Sequence, residues 1–151
     1  MRTLKENLEK AKLHLDRVKR ASQEIRKYEI LKNLDIEDFE TVKIIDTFTF
    51  RFIKLQDFLG QKLFKRFLDE IGELEENVSF LDVLDKLEKL RIIDTVEDWI
   101  EIRKLRNKLT HEYPDELEEI KKELEIAIDK INLFEEVIIR IENYLKNKNL
   151  L

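Results

Sequence analysis

Two glycines and one proline in 151 residues leave this chain few places to turn. Glycine supplies the left-handed backbone of tight turns, and proline ends helices. A chain nearly without either is expected to fold as long helices joined by few loops. Hydrophobic and charged residues each make up 42% of it, which describes a globular chain. The length suits one domain, residues 1–151, with a core large enough to be stable without staples. The expected fold class is all-α: an up-and-down bundle of four long helices plus a short one.

Caps and periodicity place the helices. Thr3 with Glu6 forms a capping-box pattern, and Leu4, Leu8, Ala11, Leu15 and Val18 recur at spacings of three and four, with Ile25 seven residues on. This first helix fades around Asn33, and Asp35 is the expected N-cap of the second. The second is expected from Ile36 to Ile71, with Gly72 as its stop. It holds seven of the nine phenylalanines. Ile45, Phe48, Phe52, Leu55 and Leu59 make one stripe, but Phe50, Ile53 and Phe64 lie off it. A helix apolar on more than one side is either central in its bundle or also covered by a partner. Gly60, inside this pattern, either permits a close helix approach or is a tolerated flaw costing about 1 kcal/mol.

Ser79 with Asp82 opens a short helix through Leu90. Thr95 with Asp98 opens another, expected to run to Tyr113, where Pro114 stops it. Pro114 then leads into a last helix, whose Leu117, Ile120, Leu124, Ile128, Ile131, Phe134, Ile138, Ile141 and Leu145 keep helical spacing.

Several functions are disfavoured. With no cysteine there is no disulfide or thiolate chemistry. The opening residues lack the apolar core of a signal peptide, and no run is long enough to span a bilayer. A cytoplasmic protein that does not engage membranes is expected. The net charge of −5 does not mark a nucleic-acid binder, so any such binding needs a local basic patch. No metal-ligand spacing stands out, and no cofactor or metal is expected.

One stretch departs from generic amphipathic helix: Arg106-Asn107-Lys108-Leu109-Thr110-His111-Glu112-Tyr113. At about 100° per residue, Trp99, Leu105, Leu109 and Tyr113 fall within about 60° of Ile102. Arg106, at about 40°, falls inside this apolar stripe. Either it snorkels past the core edge or its guanidinium sits in a partly enclosed polar site. Asn107 and His111 are neighbours on one flank, with Arg103 and Thr110 between that flank and Arg106. A cationic fork and an imidazole are parts of a metal-independent phosphodiester-cleaving site. The bland alternatives are an ion-paired arginine and a histidine favouring a helix C-terminus. One histidine is also short of an acid and base pair, and a two-fold homodimer would supply the second.

The same stretch, in the form R-N-x(3)-H-x-Y, resembles the R-x(4–6)-H motif of the HEPN (higher eukaryotes and prokaryotes nucleotide-binding) domain family. The chain is most similar to the small HepT-like HEPN proteins paired with minimal nucleotidyltransferases. Residues 46–57, DTFTFRFIKLQD, resemble that family's second helix, and 84–90, LDKLEKL, followed by Trp99 and the motif, follow its order. The likeness runs over essentially the whole chain.

The resemblance implies a homodimeric ribonuclease toxin that cuts RNA without metal, with Arg106 and His111 as the catalytic pair. It implies that Asn107 positions, and that Tyr113 is adenylylated by a cognate nucleotidyltransferase antitoxin to silence the toxin. RNA would lie on Arg103, Lys104, Arg106 and Lys108, with Arg51 and Lys54 as further candidates. The alternative is a non-catalytic nucleotide- or substrate-binding partner subunit of the nucleotidyltransferase. Elsewhere, His14 reads as structural or solvated, and Trp99 as a core or dimer contact. Asp46, Gln56 and Asp57 are possible partners of Arg106, although ordinary helix-surface roles are expected for them.

Overall fold

The computed structural model describes residues 3–110 and 116–151. Among them it is helical, with no strand. Helix α1 spans Leu4–Lys27, α2 Phe39–Phe58, α3 Phe64–Glu70, α4 Phe80–Lys89, α5 Val96–Leu109 and α6 Leu117–Asn147. A π turn, Leu59–Leu63, joins α2 to α3 without a break, so residues 39–70 form one rod. Helix α1 packs along α2 and α6, α2 and α6 each pack on α5, and short α4 lies on α5. Three rods are long, whereas α5 has 14 residues and α4 has 10.

The π turn resolves the two-sided appearance of the second rod. The Phe64 amide donates to the Leu59 carbonyl, five residues back, which takes up one extra residue. One residue is about 100° of helix rotation. The shift brings Phe64, Phe67 and Leu68 onto the same core as Ile45, Phe48 and Phe52, and all six are buried. Phe64 meets Trp99 edge-on at 5.3 Å between ring centroids. Phe134 of α6 lies 5.2 Å from Phe52 and 5.8 Å from Trp99. Trp99 is thus a core residue that ties α3, α5 and α6 together. Phe50, by contrast, is 50% exposed.

Helix starts follow local hydrogen bonding. Thr3 accepts from the Glu6 amide, and Ser79 and Asp82 form a reciprocal capping box. The second rod starts later than expected: Asp38 is its N-cap, accepting from both the amide and the hydroxyl of Thr41. Asp35 is spent on a turn, accepting from the Glu37 amide. A threonine that donates twice favours the later aspartate.

Helix ends show how the chain turns with so little glycine. In the Schellman arrangement one residue takes a left-handed φ and two amides bond back to the last turn. Glycine does this after α3, at Gly72 with φ 75°, where the Glu73 amide reaches the Leu68 carbonyl at 2.8 Å. Glu29 (φ 51°), Arg91 (φ 61°) and Asn149 (φ 57°) do it after α1, α4 and α6. Ile30 and Ile92, the next residues along, are buried against the core, which helps hold the strained conformation. Helix α1 therefore stops at Lys27, short of the expected Asn33.

Helix α5 ends at Leu109, with Thr110 as C-cap. Its expected extension to Tyr113, and the expected lead-in of the last helix at Pro114, fall on residues 111–115, outside the described residues. Helix α6 begins at Leu117, and Glu116 caps it without a side-chain bond.

A cationic cleft at the π turn

The π turn and α5 face each other across a cleft of about 380 Å³. One wall is Gln56, Asp57, Gly60, Gln61 and Lys65; the other is Phe80 of α4 with Arg103, Arg106 and Asn107 of α5. Gly60 lets Phe80 come close: a Cβ at Gly60 would lie 3.2 Å from Phe80 Cε1. That settles the role of this glycine as close approach. Arg103 also lies over this ring, its guanidinium carbon 4.6 Å from the centroid. Phe80 therefore touches both Gly60 and Arg103 and joins the two walls of the cleft.

Arg106 is the best-held cation in it. Its Nε donates to Asp57 Oδ1 at 2.8 Å and its second terminal nitrogen to Oδ2 at 2.7 Å, a bidentate pair. Both side chains are about a quarter exposed. The hydrogen bond to Asp57 raises the arginine's pKa, burial opposes this, and the charge of Asp57 adds to it. Of the two sequence options, the enclosed polar site is the one adopted. The ion-pair role is also real, and Asp57 is not an ordinary surface residue. The pairing leaves one edge of the guanidinium free to bind an anion. Three cations against one carboxylate leave the cleft with two net positive charges in an acidic chain. Asn107, Gln56 and Gln61 add neutral amide donors and acceptors, which suit a polar ligand.

The expected site residues fare differently. Arg103, Arg106 and Asn107 line the cleft. Thr110 does not; its hydroxyl donates to the Asn107 carbonyl at 2.7 Å and caps α5. Lys104 is absent from the lining. Lys108 acts on Glu123 of α6, where it opposes a rise in pKa driven by burial and by Glu119. The basic run of α5 is thus split between faces, and only Arg103 and Arg106 share the cleft. Of the three carboxylate and amide candidates on α2, Asp57 and Gln56 reach it and Asp46, eleven residues before Asp57, does not line it. His111 and Tyr113 lie outside the described residues.

Phe80, Gln61 and Lys65 were not legible as site residues. Gly60 was the one available signal, a glycine in the middle of an apolar helix. Among the described residues, no three histidine, aspartate or glutamate side chains gather as a metal would require. No helix among them is long and apolar enough to cross a membrane. No protein-family model matches the chain, and no curated protein or solved structure matches it.

Proposed function

We propose that this chain is a HEPN-type ribonuclease toxin, working as a homodimer and silenced by a cognate nucleotidyltransferase antitoxin. The observation that carries the reading is the half-buried Arg106, held in fixed orientation by Asp57 at the edge of a cleft with excess positive charge. A preorganised cation is what a developing phosphorane needs.

In this reading RNA supplies its own nucleophile. His111 takes the proton from a 2′-hydroxyl, whose oxygen attacks the adjacent phosphorus. The bond from phosphorus to the 5′-oxygen breaks, and the symmetry-related His111 of a second copy protonates that oxygen. The products are a 2′,3′-cyclic phosphate and a 5′-hydroxyl. Arg106 neutralises the phosphate charge, Arg103 adds to the field, Asn107 orients the imidazole or the phosphate, and Thr110 holds the helix end that carries Asn107. No step uses a metal or cofactor. Adenylylation of Tyr113 places a bulky anion beside the motif and blocks RNA.

Purified protein incubated with RNA in chelator should cut it, and His111→Ala should cut about 10²-fold more slowly. Equal cleavage, or equal growth arrest on expression, would sink the proposal. Incubation with the cognate transferase and ATP should add one adenylate mass, and Tyr113→Phe should abolish it.

A second reading has its own support. The cleft presents three amides and a phenyl ring beside its cations, a lining suited to a nucleotide. In that case the chain is a non-catalytic substrate-binding partner of the transferase. Tight nucleotide binding with no cleavage of any RNA would favour it.

A further inference from the structure

A second cationic region lies on the seam between α1 and α2, away from the cleft. Lys10 and Arg17, one turn to either side of His14 on α1, and Arg51 and Lys54 of α2 all lie close enough to His14 to act on its charge. Among the described residues none of these four cations has a salt-bridge partner, whereas Arg106 in the cleft is paired with Asp57. His14 is buried, its ring tilted against Phe58 at 5.3 Å, and its Nδ1 has no hydrogen-bond partner among the described residues. Burial and then the four neighbouring cations lower its pKa, so the field at the ring is positive.

Beside this cluster stands Phe50. Its ring is half exposed, with the Arg51 guanidinium carbon 5.2 Å and Lys54 Nζ 5.4 Å from the centroid. A hydrophobic ring in water is unfavourable, and here it is flanked by two cations that form no salt bridge among the described residues. Phe50 is also seven residues before Asp57. Seven residues are two turns, about 10 Å, so both lie on the same side of α2. Lys54 lies between them along the helix, so a strand leaving the cleft along α2 passes Lys54 and then Phe50 with Arg51 beside it.

We infer that the α1–α2 seam binds single-stranded nucleic acid, with Phe50 stacking one base and Arg51, Lys54, Lys10 and Arg17 taking the flanking phosphates. Base–aromatic stacking with a cationic track is how single strands are held without sequence readout, and a duplex offers no free base face. A second copy of the chain is a poorer occupant, because a two-fold contact here would set four unpaired cations against their own images. That the bound strand is RNA rests on the ribonuclease reading. The surface itself contacts only phosphates and base faces, so it does not distinguish RNA from DNA.

That indifference separates binding from cleavage. A short unstructured deoxyoligonucleotide has no 2′-hydroxyl and serves as an uncleavable probe. By fluorescence anisotropy, wild type should bind it. Arg51→Ala/Lys54→Ala should weaken binding at least tenfold and lower the slope of log affinity against log salt by about 1.4, at about 0.7 per lost phosphate contact. Phe50→Ala should weaken binding about 5- to 100-fold, and Phe50→Trp should retain it. Both positions are at the surface, and an unchanged circular dichroism melt confirms folding. Equal affinity of wild type and all variants would overturn the inference. So would loss of binding in Arg106→Ala alone, or a Phe50→Ala chain that changes from dimer to monomer with its affinity unaltered. If the seam variants lose binding while wild type cuts no RNA, the ribonuclease reading fails and the seam stands.

Discussion

The cleft and the seam are both cationic, and they hold their charge in opposite ways. In the cleft, Arg106 is clamped by two hydrogen bonds to Asp57. On the seam, four cations act on a buried histidine, and among the described residues none of the four is in a salt bridge. A paired cation has a fixed direction and a reduced net charge. An unpaired one has full charge and no preferred direction. The first arrangement suits a group that must be placed to within a fraction of an ångström, the second a flexible polyanion held at many points.

The largest effect expected to separate them is on the proposed RNA cleavage. Arg106→Lys keeps the charge but loses the planar fork, and RNA cutting should fall by about 10²-fold. Arg51→Lys on the seam should leave oligonucleotide affinity within about twofold, since a phosphate track reads only charge. Matching losses in both assays would erase the distinction.

Stability comes next. Asp57→Ala strands a half-buried arginine and should cost about 1–2 kcal/mol in urea unfolding. Arg51→Ala relieves repulsion among like charges and should stay within about 0.5 kcal/mol of wild type, on the stabilising side if it moves. A double-mutant cycle of Asp57→Ala with Arg106→Ala should show coupling, and additive losses would mean that the clamp does not hold.

The smallest effect is in pH. His14 is held neutral in the fold, with its pKa lowered by burial and by Lys10, Arg17, Arg51 and Lys54. The unfolded chain, with a histidine near its ordinary value of about 6.5, takes up the proton first. The stability tied to His14 is therefore complete above about pH 6.5 and declines as pH falls below it. The urea midpoint of wild type should drop between about pH 7 and pH 5 by more than that of His14→Gln. If the two fall in parallel, the seam does not control this histidine.

Much of the fold was readable from local pattern. Scarce glycine and proline implied long helices, and Thr3, Ser79 and Thr95 marked three starts that stand. The N-cap at Asp38 rather than Asp35 was harder to read, since both are aspartates at plausible positions and Thr41 tips the balance. In the site, the departure of Arg106 from a solvated face was visible in the angle alone. Its partner was not. Asp57 lies 49 residues away, on the outer side of a different helix.

Local chemistry depends on neighbours within a turn or two, so sequence by itself determined the all-helical class, the stripe through Phe48 and Phe52, and the anomaly at Arg106. Tertiary packing decided the rest. A π turn has no residue signature, because any helix can take in one extra residue where the core rewards it, as burial of Phe64, Phe67 and Leu68 does here. That turn sets the phase of the rod beyond it and brings Gly60 under Phe80, and the packing of α2 on α5 puts Asp57 opposite Arg106. Which cations are clamped and which are left bare follows from that register, and a register between helices is set only when their faces meet.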